Sequence, residues 1–224
     1  MPDTLLFDLD GTLIDSAVGI GRCAVYAMER LGERAPDADT LRRWIGPPLR
    51  ASFGPLLGGD AERTERAVEL YRERFEAVGW SEHVVYDGIE QAVRSLHAAG
   101  HRLAVVTAKN QPHAERIVAH LPFGGLFETV SGATHDGRIG EKPELIAEAL
   151  VRLGAATGDC WMIGDRHMDI DGARFHGMRS VGVLWGFGGA DELREATTLC
   201  EAPRGLPGIF AAARPRGQTL PSYS

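Results

Sequence analysis

Cysteine is scarce in this chain. Cys23, Cys160 and Cys200 stand alone, with no CxxC spacing, and three thiols cannot all pair. That excludes a disulfide scaffold and fits a reducing compartment, where each is expected to serve as a small buried apolar side chain. The eight histidines are scattered along the chain, and zinc is not expected. No apolar run approaches the roughly 20 residues that cross a bilayer. The start, MPDTLLFDLD, lacks the basic beginning and long apolar core of a secretory signal. The expected location is therefore cytoplasmic, with no membrane partner. Basic residues are also in deficit: 24 Lys and Arg against 31 Asp and Glu give a formal net charge of −7. A basic surface for a nucleic acid polymer is excluded on that ground. Nothing in the sequence specifies an oligomeric state. What remains is a chain of 224 residues, 44% hydrophobic and 25% charged. That is ordinary globular composition, with length for one full domain and a smaller inserted one.

Short apolar runs alternate with helical patterns. Residues 4–9 read as a buried strand that stops at Asp10-Gly11-Thr12. Similar strands are expected over 102–107, 160–163 and 180–183, and a weaker one over 127–130. Residues 88–99 place Ile89, Val93, Leu96 and Ala99 on one helical face. Residues 143–153 do the same with Leu145, Ile146, Ala149, Leu150 and Leu153. Gly100 and Gly154 follow, where left-handed caps are wanted. Strand–helix alternation from residue 84 onward predicts an α/β fold, a Rossmann-like parallel sheet with helices on both faces.

The stretch 16–83 breaks this rhythm. It shows helices over 17–31 and 62–78, and Trp44-Ile-Gly-Pro-Pro48 must interrupt a helical region. A small α-helical unit is thus inserted after the first strand. The division is 1–15 with 84–224 as a discontinuous core, and 16–83 as the insert. Its crossings fall near 15–16 and 84–88. The tail from Arg214 to Ser224 is polar and is expected to be loosely ordered.

Several strand ends carry chemistry. Asp8 and Asp10 lie two residues apart at the carboxyl end of the first strand, where open parallel sheets bind ligands. If the backbone turns at once after Asp8, both face one cleft. Paired carboxylates repel, and a hard cation resolves that. Gly11 would let the loop swing away, and Thr12 could tie it down. Asp and Gly are also ordinary turn residues. Thr107 ends a strand, and Ala108-Lys109-Asn110 leads into a helix, a natural phosphate seat or simply a helix cap. Lys142 precedes Pro143 at a helix start, where it could reach a cleft or stay on the surface. Gly164-Asp165 repeats a carboxylate at a strand end, and Asp169 follows one helical turn later. Each feature alone has a plain structural explanation. Together, carboxylates, a hydroxyl and a lysine at strand ends form an inventory for Mg²⁺ and a phosphoryl group.

In the order DLDGT (8–12), Thr107, Lys142-Pro143 and GDRHMD (164–169), the sequence resembles the haloacid dehalogenase-like hydrolases along nearly its whole length. The insert, with Ile45-Gly-Pro-Pro-Leu49, is similar to the α-helical cap of the phosphoglycolate phosphatase-like branch. So are Asp165-Arg166 and the run from Gly177 to Gly186. The resemblance implies that Asp8 attacks phosphorus and Asp10 serves as acid and base. It implies that Thr107 and backbone N–H groups near Leu9, Asp10 and Ala108 hold phosphoryl oxygens. Lys142 would offset charge on Asp8 and the phosphate. Mg²⁺ would be held by Asp8, Asp165 and Asp10, the last through its backbone carbonyl, with Asp169 in support. Lys109 and Arg43 are further expected substrate contacts, with Arg42, Trp44, Pro47 and Pro48 near a specificity loop. The implied partner is a small phosphorylated metabolite. Phosphoglycolate leads, and nucleoside monophosphates and phosphosugars are alternatives. Asp10 argues against a dehalogenase. A phosphosugar mutase would shield the same phosphoenzyme from water. A pseudoenzyme would bind a phosphorylated ligand without turnover, although no catalytic position is lost.

Overall fold

A computed structural model describes residues 2–212. The chain opens with β1 (Thr4–Phe7) and a two-residue β2 (Ile14–Asp15). Four helices follow: α1 (Ala17–Arg30), α2 (Ala38–Arg43), α3 (Leu49–Leu56) and α4 (Ala61–Ala77). Then come β3 (Val84–Val85), α5 (Ile89–Ala98), β4 (Arg102–Asn110), α6 (Gln111–His120) and β5 (Thr129–Ala133). The rest is α7 (Lys142–Leu153), β6 (Cys160–Gly164), α8 (His167–Phe175), β7 (Arg179–Val183), β8 (Thr198–Cys200) and α9 (Leu206–Ala212).

The main sheet runs β5-β4-β1-β6-β7-β8, and every pairing is parallel. β1 is central. The chain first builds outward on the β4 side and then returns past β1 to β6. Such a reversal opens a crevice at the strands' carboxyl ends. Alternation along the strands divides the core. Leu5, Phe7, Leu103, Val105 and Ile163 face α5, α6 and α9. Leu6, Ala104, Val106 and Met162 face α7 and α8, through Leu145, Ile146, Ala149 and Ala173. Both faces are apolar because both are covered by helices.

Helices α1–α4 lie between β2 and β3. Those two strands pair antiparallel as Ile14↔Val85 and Asp15↔Val84. The two crossings into the insert are thus joined as one short ribbon, which sequence patterning does not reveal in pairs so short. Within the insert, Ile20, Ala24 and Ala27 of α1 share a core with Phe53, Val68, Tyr71 and Phe75. Asp37 and Asp60 start α2 and α4 by accepting the N–H groups of Thr40 and Arg63. Gly46-Pro47-Pro48 separates α2 from α3, as two prolines and a glycine require.

Element ends account for the remaining differences. β4 continues to Asn110, with a register shift between Thr107 and Asn110. Asn110, not Thr107, therefore stands at the N-cap of α6. β8 and α9 add to the sheet edge and its cover; sequence patterning gave neither. Gly100 and Gly154 adopt the expected left-handed caps, at φ 90° and 58°. All three cysteines are buried and free. The Arg214–Ser224 tail lies outside the described residues.

Candidate active site

Asp8 follows β1 directly, and its N–H still bonds the Ile163 carbonyl at 2.9 Å. The chain then turns tightly: the Leu9 carbonyl accepts the N–H groups of Leu13 and Ile14 at 3.0 and 3.1 Å. The turn needs Gly11, at φ 84°. A Cβ there would stand 2.2 Å from Asp165 Oδ2. Thr12 ties the loop down through its carbonyl, which accepts Trp185 Nε1–H at 3.1 Å.

This turn sends the two carboxylates in different directions. Asp8 joins Asp165 and Asp169 in a buried group whose ligand oxygens lie within 4.8 Å of one another. Asp10 is not in that group. Its Oδ2 pairs with Lys109 Nζ at 3.1 Å. The Asp10 carboxylate is thus turned away from the other three, which leaves its backbone carbonyl as the group the resemblance assigns to the metal. Asp165 fixes one oxygen on the Phe187 N–H at 2.7 Å, while its Oδ1 is buried without a hydrogen-bond partner. Asp169 caps the start of α8, accepting the Arg166 N–H at 3.1 Å.

Lys142 lies at the first turn of α7, beneath this group. Its Nζ is 2.7 Å from Asp169 Oδ1, 3.0 Å from Asp8 Oδ1 and 3.0 Å from the Val106 carbonyl. It hydrogen-bonds the Val106 carbonyl and forms ion pairs with the two carboxylates. Burial opposes its charge, but Asp169 and Asp8 outweigh it and raise its pKa. One lysine cannot neutralise three carboxylates. Burial pushes Asp8 up to about 7, with Lys142 opposing and Asp169 and Asp10 adding to the rise. Burial, then Asp8 and Asp169, also raise Asp165 well above the carboxylate range. A buried set of hard oxygen donors, in which Oδ1 of Asp8, Asp165 and Asp169 each lacks a hydrogen-bond partner, fits a divalent cation of the Mg²⁺ type.

Thr107 is buried, and its Oγ1 accepts the Lys109 N–H at 3.2 Å. The register shift turns Ala108 and Lys109 toward the insert. Lys109 Nζ lies 4.5 Å from the centre of the Phe75 ring on α4. Ala108, Gly46 and Pro48 also bound a narrow cleft of about 10 Å³ that reaches Asp8 and Lys142, room for roughly one water. A larger cavity of about 390 Å³ opens beside it, lined by Asp10, Lys109 and the insert's Trp44, Tyr71 and Phe75. Arg43 does not reach either space. It is exposed and bonds Thr40 Oγ1. A helix turns successive side chains by about 100°, so Arg42 points elsewhere, with its guanidinium 5.4 Å from the Phe187 ring centre.

The sequence named Arg166 only as part of a motif; in the structure its Nη1 donates to the Ile45 carbonyl of the insert while Nε pairs with Glu192 at 2.8 Å. Sequence reasoning missed the Phe187 N–H that holds Asp165. Main-chain donors and single exposed-looking arginines carry no spacing signal. His97 and His101 stand four apart, yet Gly100 ends the helix between them and His101 bonds Asp3. Among the described residues, the group able to hold a metal is made of aspartates.

The model of haloacid dehalogenase-like hydrolases matches residues 5–183. The chain belongs to this family. A 5'-nucleotidase of Pseudomonas aeruginosa is 43% identical over 190 residues, covering 85% of this chain and 86% of that one. The tyrosine-protein kinase PtkA of Mycobacterium tuberculosis is 39% identical over 197 residues, covering 88% and 67%. A solved structure of PtkA superposes with a TM-score of 0.80 at 36% identity, covering 93% and 98%. A phosphoglycolate phosphatase of Colwellia psychrerythraea is 29% identical over 201 residues, covering 86% and 89%. The chain is a phosphatase with the family's parallel α/β core. No helix among the described residues is long and apolar enough to cross a membrane.

Proposed function

We propose that this phosphatase hydrolyses a small phosphomonoester through an aspartyl-phosphate on Asp8, with Mg²⁺ as cofactor. The observation that carries the reading is the divergence of Asp8 and Asp10. Asp8 sits at the blind end of the cleft against Lys142 and Asp169. Asp10, two residues on, lines the larger cavity where a leaving group would lie.

Each residue then has a distinct task. The Asp8 carboxylate attacks phosphorus, and the bond to the leaving oxygen breaks. Asp10 hands a proton to that oxygen. It then takes one from the water that cleaves the acyl phosphate. Lys109 holds Asp10 toward the cavity. Lys142 keeps Asp8 charged and correctly turned. Thr107 and the N–H groups around Ala108 receive phosphoryl oxygens. Asp8, Asp165 and Asp169 would hold Mg²⁺, with the Asp10 carbonyl. Bound there, the ion supplies positive charge against an anionic nucleophile meeting an anionic substrate. The insert, 16–83, acts as a cap. The narrow cleft is too small for a phosphoryl group, so the cap opens to admit substrate and closes over it. The reaction belongs in the cytoplasm, on a soluble metabolite and not on a nucleic acid polymer or at a membrane.

The test is phosphate release from phosphoglycolate, nucleoside monophosphates, phosphosugars and phenyl phosphate, with Mg²⁺ and with chelator. Release should require Mg²⁺ and vanish in Asp8→Asn. Asp10→Asn should lose about 10²- to 10⁴-fold. Near-normal turnover by Asp8→Asn would refute the mechanism.

A further inference from the structure

Ile45 and Arg166 stand 121 residues apart in the chain, and the fold brings them together. Arg166 is the N-cap of α8, between the metal-site residues Asp165 and Asp169. Its backbone N–H holds Asp169 Oδ2 at 3.1 Å. Its side chain is only 11% exposed and runs between two partners. Nε pairs with Glu192 Oε1 at 2.8 Å, and Nη1 donates to the Ile45 carbonyl. One residue thus touches a metal-site aspartate with its main chain and the insert with its side chain.

Both sides are shaped for this contact. Glu192, in the loop between β7 and β8, also accepts the His167 N–H at 3.0 Å, which anchors it to the start of α8. On the insert, Gly46 has φ 108°. A Cβ there would lie 3.1 Å from Met168 Cε and 3.2 Å from Arg166 Cγ. A residue without a side chain lets the backbone come this close. Gly46, Pro48, Arg166 and Met168 all line the narrow cleft that reaches Asp8. Arginine suits the task. Its planar fork donates from Nε and Nη1 at once, to a carboxylate on one side and a carbonyl on the other. A lysine ammonium on a flexible stem does not hold that pair.

Building on the phosphatase reading and its opening cap, we infer that Arg166, oriented by Glu192, is a positioning residue that clamps the 44–48 loop shut over Asp8. The contact with Ile45 exists only in the closed arrangement. A hydrogen bond from a charged donor shifts such an equilibrium about 10- to 100-fold. The clamp touches the loop and not the leaving group, so it acts on every substrate alike.

The test has two readouts. One is kcat and KM for phosphoglycolate, a nucleoside monophosphate and phenyl phosphate, each with Mg²⁺. The other is acrylamide quenching of Trp44, taken as the difference between each chain and its Trp44→Phe counterpart. Trp44 is buried and lines the larger cavity between insert and core, so opening exposes it. Arg166→Lys and Arg166→Met should each lose about 10- to 100-fold in kcat/KM on all three substrates. Both should raise Trp44 quenching and leave the urea midpoint nearly unchanged. Glu192→Ala should give the same pattern, and it serves if Arg166→Met does not fold. Glu192→Gln keeps an acceptor for Nε and should lose less. In Arg166→Met/Glu192→Ala the losses should not add, because both act through one contact. Near-normal kinetics and quenching in Arg166→Lys would overturn the inference. So would a lowered urea midpoint with kinetics and quenching unchanged, which would make Arg166 a strut for its loop. No release from any substrate by wild type would instead overturn the phosphatase reading; quenching needs no turnover and would still decide the clamp.

Discussion

Lys142 carries much of the electrostatic weight of this molecule. It is buried together with Asp8 and Asp169, and removing one member of such a group strands the others in a low-dielectric site. Lys142→Met should therefore destabilise the fold by about 3–5 kcal/mol, read as a lowered urea midpoint. A change below about 1 kcal/mol would mean that the aspartates are neutral or solvated in the native state. The residue was legible in the sequence only as a lysine before a proline at a helix start. That it reaches two carboxylates depends on α7 packing beside β4 and β1, which no local pattern encodes. Arg43 illustrates the converse. A cation next to a predicted loop looked apt for substrate, but the helical turn aims it at Thr40 and solvent.

At the scale of elements, the turn between β1 and β2 decides the site. Asp8-Leu-Asp-Gly-Thr reads as a turn from composition alone. The sharpness of that turn separates the carboxylates, and it rests on Gly11. Gly11→Ala would combine a left-handed backbone, costing about 1–2 kcal/mol, with a Cβ overlapping Asp165. The variant should fold with reduced stability and lose the Mg²⁺-dependent rise in Tm expected of wild type. An undiminished Mg²⁺ effect would remove Asp165 from the metal site. The β4 extension past Thr107 belongs to this scale too. Its register shift brings Lys109 to Asp10, a consequence of pairing with β5 that reading one strand at a time does not reach.

For the molecule as a whole, the insert shares a buried apolar cluster with the core and adds polar contacts at its edge. Glu76 of α4 meets His113 Nε2 at 2.8 Å and Arg116 Nη1 at 3.0 Å. The Arg116 guanidinium lies 3.8 Å from the Trp80 ring centre. Glu76 is exposed in both pairs, and pairs of this kind contribute about 0–1 kcal/mol, which suits the proposed opening of the cap. Glu76→Gln should change kcat and KM together with little effect on the urea midpoint. A purely structural latch would move the midpoint alone. His113 adds a pH dependence. Burial against Phe75 lowers its pKa from the ordinary 6.5, with Glu76 opposing and Lys109 adding to the fall. The unfolded chain thus takes up a proton first as pH falls, so native stability declines below about pH 6.5. Urea midpoints across that range should fall less in His113→Gln than in wild type; equal slopes would assign the acid sensitivity to other groups.

Sequence alone determined the alternation of strands and helices, the place of the insert and most catalytic candidates. Those follow from hydrophobic period, turn chemistry and motif order, which are properties of neighbouring residues. Tertiary structure decided which candidates meet. It sent Asp8 and Asp10 apart, gave Lys142 its two aspartates, excluded Arg43 and assembled the cavity from α3, α4 and the loop after β5. Burial, pairing and desolvation are set by residues distant in the chain, and only the packed molecule brings them together.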